Sequence, residues 1–148
     1  MSGLNLKKGG FFTEELRKEG RRVGFNIVTL SGKETILAHK YFDTPYKVSI
    51  YSVSIENLEA IAVKEIEESI KSDCLIVIDE IGKMEIFSTK FRKAVIDAIE
   101  SKNNLLATIM LKPDPFCNEI KRRTDVRLFL LKRHNYNTLK EQLIALLQ

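Results

Sequence analysis

Asp79 and Glu80 are adjacent carboxylates at the end of an apolar run, Leu75-Ile76-Val77-Ile78, and Gly82 follows two residues later. Two neighbouring acids can divide two tasks. One can stay ionised against a metal while the other faces a reacting water. A strand that runs straight into such a pair has the form of a Walker B element. On that reading Asp79 holds Mg²⁺, and Glu80 orients and deprotonates the water that attacks a γ-phosphate. Gly82, lacking a Cβ, lets the backbone turn tightly beside a bound group. The same four apolar residues also fit a plain buried strand whose acids face solvent in a loop, and the pattern alone leaves both readings open.

The elements that must position these acids follow from periodicity. A short run of β-branched residues bounded by a turn predicts a strand buried on both faces, as in a parallel sheet covered by helices. Ligands of such sheets sit at the carboxyl ends of the strands. Upstream, the chain reads as an antiparallel meander: a strand over 10–16, a turn at Lys18-Glu19-Gly20-Arg21, an alternating strand through Val23, Phe25 and Ile27, a turn at Ser31-Gly32-Lys33, and a returning strand. A further short strand is predicted over 47–53. Ser54 then caps a helix with Leu58, Ile61, Ala62 and Ile66 on one face. Ser88 caps a second, with Phe91, Ala94, Val95, Ala98 and Ile99 at helical spacing. Buried strands are predicted over 105–111 and 126–131, with a short helix through Ile120 between them. Asn137 is expected to cap a last helix whose apolar face carries Leu139, Leu143, Leu146 and Leu147. Alternating strand and helix from residue 54 onward imply parallel strands joined by right-handed crossovers. The expected class is therefore α/β, a parallel sheet flanked by helices behind an N-terminal antiparallel meander, in a single domain over 1–148.

Composition narrows the partners. A net charge of +4 on 148 residues suits an anionic small ligand and is too small to argue for nucleic acid. Basic residues are not interleaved with aromatics, so a nucleic-acid module is the least supported class. No run approaches the ~18 apolar residues of a membrane span. Cys74 and Cys117 are too few and too far apart for a metal motif or a disulfide framework, which fits a reducing, cytoplasmic setting. His39 and His134 have no partner at ligand spacing.

Several stretches taken together resemble one family. They are Gly10-Phe11-Phe12-Thr13-Glu14-Glu15-Leu16-Arg17, Arg22-Val23-Gly24-Phe25, Val28-Thr29-Leu30-Ser31-Gly32, Asp79-Glu80-Ile81-Gly82-Lys83-Met84-Glu85 and Ala107-Thr108-Ile109. Nearly the whole chain from Gly10 on is similar to the small nucleoside-triphosphatases of thermophilic microbes and their cancer-related animal counterpart. These are RecA-like P-loop NTPases. The resemblance implies Mg²⁺-dependent hydrolysis of nucleoside triphosphates to diphosphate and phosphate. It implies Asp79 as metal ligand, Asp79 and Glu80 as catalytic acids, and Thr108 as a sensor of the γ-phosphate. It places Thr13, Glu14 and Asn135 at the nucleotide.

Two departures stand out. The family opens with a strand, a Gly-x-x-x-x-Gly-Lys-Thr loop and a helix, whose N–H groups, Lys and Thr cradle the phosphates and metal. These 148 residues contain no such loop; Gly9-Gly10 leads into a strand instead. The expectation is a chain truncated at its N-terminus relative to the family, inactive or very weak as it stands, with a pseudo-enzyme serving as a binding module as the alternative. The absent central strand would leave a slot between 105–111 and 126–131. Either those segments pair directly, or an open groove favours self-association. Near the C-terminus the family's Glu-Asn-Arg reads His134-Asn135-Tyr136, so its arginine is missing and Arg133 is the nearest substitute.

Overall fold

The computed structural model describes residues 6–147. Seven strands form one mixed sheet in the order β4-β5-β3-β2-β1-β6-β7. They are β1 (Lys8–Lys18), β2 (Arg21–Thr29), β3 (Glu34–His39), β4 (Lys47–Val48), β5 (Tyr51–Val53), β6 (Leu75–Ile81) and β7 (Leu105–Ile109). The predicted meander is present: β1, β2 and β3 pair antiparallel. Glu19 and Gly20 both take positive φ in the β1–β2 turn, which glycine accepts without strain. β1 then pairs parallel with β6, and β6 parallel with β7. So β1 joins the antiparallel and parallel halves, a role its short aromatic pattern did not announce.

The helix from Ser54 is one rod of three parts, α1 (Ile55–Asn57), a π-helical stretch Leu58–Val63 and α2 (Lys64–Ile70). The Ser54 side chain accepts the Asn57 N–H. α3 (Thr89–Glu100) is capped by Ser88, whose hydroxyl accepts from Phe91 N–H and donates to Glu59 at 2.7 Å. α4 (Pro115–Arg122) starts from Asp114, which accepts two N–H groups, with Pro115 in the first turn. The core lies between sheet and helices: Phe11, Ile27, Val53, Ile76 and Ile78 meet Leu58, Ala62, Ile66, Phe91 and Val95, all buried. Phe11 and Phe91 stack edge to face, 6.1 Å between centroids.

Three expectations are corrected. Residues 126–131 form no strand, and Leu128, Leu130 and Leu131 are each more than half exposed. Their apolar pattern was sufficient for a buried strand, but no neighbour pairs with them: among the described residues β7 pairs only with β6, so neither direct pairing nor a filled slot is seen. The single strand expected over 47–53 is a tight hairpin, β4 and β5, with Ser49 at positive φ between them. Asn137 does not cap α5 (Tyr136–Leu147), which begins one residue earlier; Asn135 closes the preceding turn instead, accepting the Lys132 N–H at 2.7 Å. Of α5's expected apolar face only Leu139 is buried, and Leu146 is exposed.

Candidate functional site

β6 runs on through both acids to Ile81 rather than ending at Ile78, and the Asp79–Glu80 peptide is cis. Asp79 stands beside Phe12 of β1. The β6–β7 ladder is irregular between Ile78 and Ile81. Thr108, on β7, fills that irregularity: its hydroxyl donates to Asp79 Oδ1 at 2.7 Å. Beyond the acids the chain is tied down again, Met110 N–H donating to Ile81 C=O and Ile86 N–H to Gly82 C=O, both at 3.1 Å. Two exposed carboxylates thus sit at the carboxyl end of an interior strand, one of them fixed by a hydroxyl from the next strand.

Close by is a third acid, given no role by the sequence. Glu85 begins a short 3-10 turn (Glu85–Phe87) and is 3% exposed. Burial pushes its carboxyl up to about 8, with smaller upward effects from the charges of Glu80 and Asp79; N–H donors from Glu85 itself and Gly82 pull the other way. Glu80 is also raised, by burial first and then by Asp79. Glu80 keeps exposed surface, with its Cγ, Cδ and Oε1 lying over Gly82.

Glu85 has a measurable signature. Its unfolded value is near 4.5 and its folded value about 8. Below the first it is protonated in both states. Between the two, the unfolded chain releases a proton that the folded chain keeps, so stability falls as pH rises and levels off above the folded value. The expected loss is on the order of a few kcal/mol, read from denaturant midpoints across the window. Glu85→Gln should flatten that part of the curve, and a parent curve already flat there would refute the buried, neutral acid.

The remaining predicted residues are dispersed. Thr13 and Glu14 continue β1 past Phe12, where they pair with Ile27 and Asn26 of β2 rather than with β6. By strand alternation Glu14 shares the face of Phe12, and Thr13 takes the other. Asn135 lies in the turn before α5, both ends of its amide engaged locally, the oxygen with Lys132 N–H and the nitrogen donating to Leu130 C=O at 2.8 Å. Arg133 and Tyr136 line an open cleft with Leu131 and Lys132, and neither carboxylate borders it. Sequence reasoning had grouped Thr108 with the acids on likeness alone; its bond to Asp79 gives that grouping a physical basis. Glu85 was legible only as the last letter of the acidic string, because burial of an unpaired acid has no pattern in sequence.

The chain as a whole is similar to known proteins. A family model described as NTPase matches residues 1–144. The nucleoside-triphosphatase THEP1 of Thermotoga sp. (strain RQ2) is 43% identical over 148 residues, covering all of this chain and 85% of that protein. The human cancer-related nucleoside-triphosphatase is 35% identical, over 94% of this chain and 80% of its own length. Among solved structures, the crystal structure of THEP1 from Aquifex aeolicus superposes with a TM-score of 0.85 at 36% identity, covering 96% of this chain and 84% of that one. The solution structure of the human protein gives 0.78 at 35% identity, over 95% and 81%.

Proposed function

Because this chain belongs to the NTPase family, we propose that Asp79 and Glu80 are the metal-holding and water-directing acids of a nucleoside-triphosphate hydrolysis site. The observation that carries the reading is the pair's place at the carboxyl end of β6, with Thr108 donating to Asp79. The residues fit Mg²⁺. Asp79 and Thr108 offer hard oxygen donors side by side. An ion held by so few protein groups keeps positions for water and phosphate oxygens, the usual Mg²⁺ pattern. Bound there, Mg²⁺ would neutralise charge on the phosphates. Glu80 would accept the proton of the attacking water, and Thr108 would hold the Asp79 carboxylate in place.

The 148 residues contain no Gly-x-x-x-x-Gly-Lys-Thr sequence, and for this polypeptide on its own the proposal is weak hydrolysis at most. The division of labour is therefore best tested in a fusion that joins a family member's strand, Gly-rich loop and helix to residue 1. In that fusion Asp79→Asn should raise the Mg²⁺ concentration for half-maximal turnover at least about 10-fold. An unchanged Mg²⁺ dependence would remove Asp79 from the metal.

A further inference from the structure

Gly82 is a glycine for a different reason from the others. At Gly20 and Gly32 the backbone is left-handed, and nothing lies within 4 Å of an added Cβ. At Gly10 and Gly24 an added Cβ would strike backbone of the adjoining strand, the carbonyl oxygens of Val77 and Ala38. At Gly9 it would meet the Ser69 hydroxyl. Gly82 has no left-handed φ, and its nearest neighbours are not backbone. The three atoms closest to a Cβ there are Cγ of Glu80 at 2.8 Å and its Cδ and Oε1 at 2.9 Å, nearer than real contacts allow. Its conformation would admit alanine; the space would not, because an acid of the candidate site lies in it.

If a Cβ were added, something would have to yield. The backbone is held: Gly82 C=O accepts from Ile86 N–H, and the preceding Ile81 C=O accepts from Met110 N–H, each at 3.1 Å. The Glu80 side chain is exposed and turns about single bonds, so it is the part that moves. We propose that Gly82 is a positioning residue for Glu80: by having no side chain it leaves the room in which the Glu80 side chain lies, and so sets where that carboxylate points. Its part in the reaction rests on the reading of Glu80 as the water-directing acid; the steric dependence of Glu80 on Gly82 does not. Asp79 is fixed separately, by the Thr108 hydroxyl at 2.7 Å, so the glycine acts on the water side of the site and not on the metal side.

The first test uses the 148-residue chain, isotopically labelled. Three-bond couplings about the Glu80 Cα–Cβ bond should report one dominant rotamer in the parent. In Gly82→Ala they should change to another rotamer or to an average, while the denaturation midpoint stays near the parent's. A parent already averaged, or couplings unmoved by Gly82→Ala, would overturn the proposal. Should Gly82→Ala not fold, Glu80→Ala combined with Gly82→Ala decides: with the acid cut back to its Cβ the room is free, and the double variant should fold as the parent does. Failure of that double variant to fold would overturn the proposal as well. The second test uses the fusion described above. Gly82→Ala should lower turnover at least about 10-fold and leave the Mg²⁺ concentration for half-maximal turnover unchanged. Added to Glu80→Gln it should lower turnover no further, since both act through one side chain. A shifted Mg²⁺ dependence, or a further loss on top of Glu80→Gln, would mean that Gly82 acts on more than Glu80 and would overturn its specific role. Couplings that move while turnover holds would overturn the reading of Glu80, and Gly82's part in the reaction with it. That outcome is distinct from an unmoved Glu80, which overturns the positioning and leaves the hydrolysis site standing.

Discussion

Phosphate release by the 148-residue chain is expected to run at least about 10³-fold below that of the fusion carrying a strand, a Gly-x-x-x-x-Gly-Lys-Thr loop and a helix from a family member. Phosphoryl transfer asks little covalent chemistry of a protein; it is governed by positioning and by neutralising charge. On the proposed reading Asp79 and Glu80 address the metal and the water, and neither supplies the run of backbone N–H donors that orders a triphosphate. Removing a single oriented donor costs about 10²–10³ in rate, so lacking a loop, its lysine and its threonine together costs no less. Within the fusion, Glu80→Gln should return turnover to near that of the unfused chain, because the amide can still accept a hydrogen bond but cannot take the proton. Nucleotide binding should persist. Rapid phosphate release by the unfused chain, or an undiminished rate in Glu80→Gln, would place the chemistry elsewhere.

Gly10→Ala should unfold the sheet at its junction. Gly10 lies in β1 at φ +100 and is paired with Val77 of β6. A Cβ there would stand 1.8 Å from the Val77 carbonyl oxygen and 2.8 Å from its backbone carbon and nitrogen. Those atoms belong to a strand paired on both edges, so they cannot swing aside as the end of a long side chain would. The strand pair must separate, and the cost should exceed about 3 kcal/mol, at the severe end for one substitution. Gly20 and Gly32 provide the control: both have positive φ, yet nothing lies within 4 Å of a Cβ at either. Alanine there should cost only the local strain of about 1–2 kcal/mol. Equal denaturation midpoints for Gly10→Ala and Gly20→Ala would mean that β1 and β6 are not in this register.

Much of this was readable from residue order because local physics decided it. Ser54, Ser88 and Asp114 are short polar groups ahead of apolar periods, and the first two were read as the caps they are. The meander was legible from its turns. What failed depended on neighbours. Residues 126–131 have the composition of a buried strand, but burial is conferred by a partner, and β7 gives them none. At the candidate site, the acids and Thr108 were proposed from type and position, whereas the burial of Glu85 was not anticipated, since it depends on a turn whose shape the letters do not specify.

The double allegiance of β1 also sets a timetable for folding. Its antiparallel partner β2 is reached through a two-residue turn, a contact that forms locally and early. Its parallel partner is distant in the chain, Phe11 meeting Ile78 only after the rest of the meander and the α1–α2 rod have been threaded between them. Closing that long loop is the slow, entropically opposed event, and topology of this kind governs rate more than stability does. That order predicts that the acids on β6 come into place late, when β6 docks on an already formed β1–β2 hairpin.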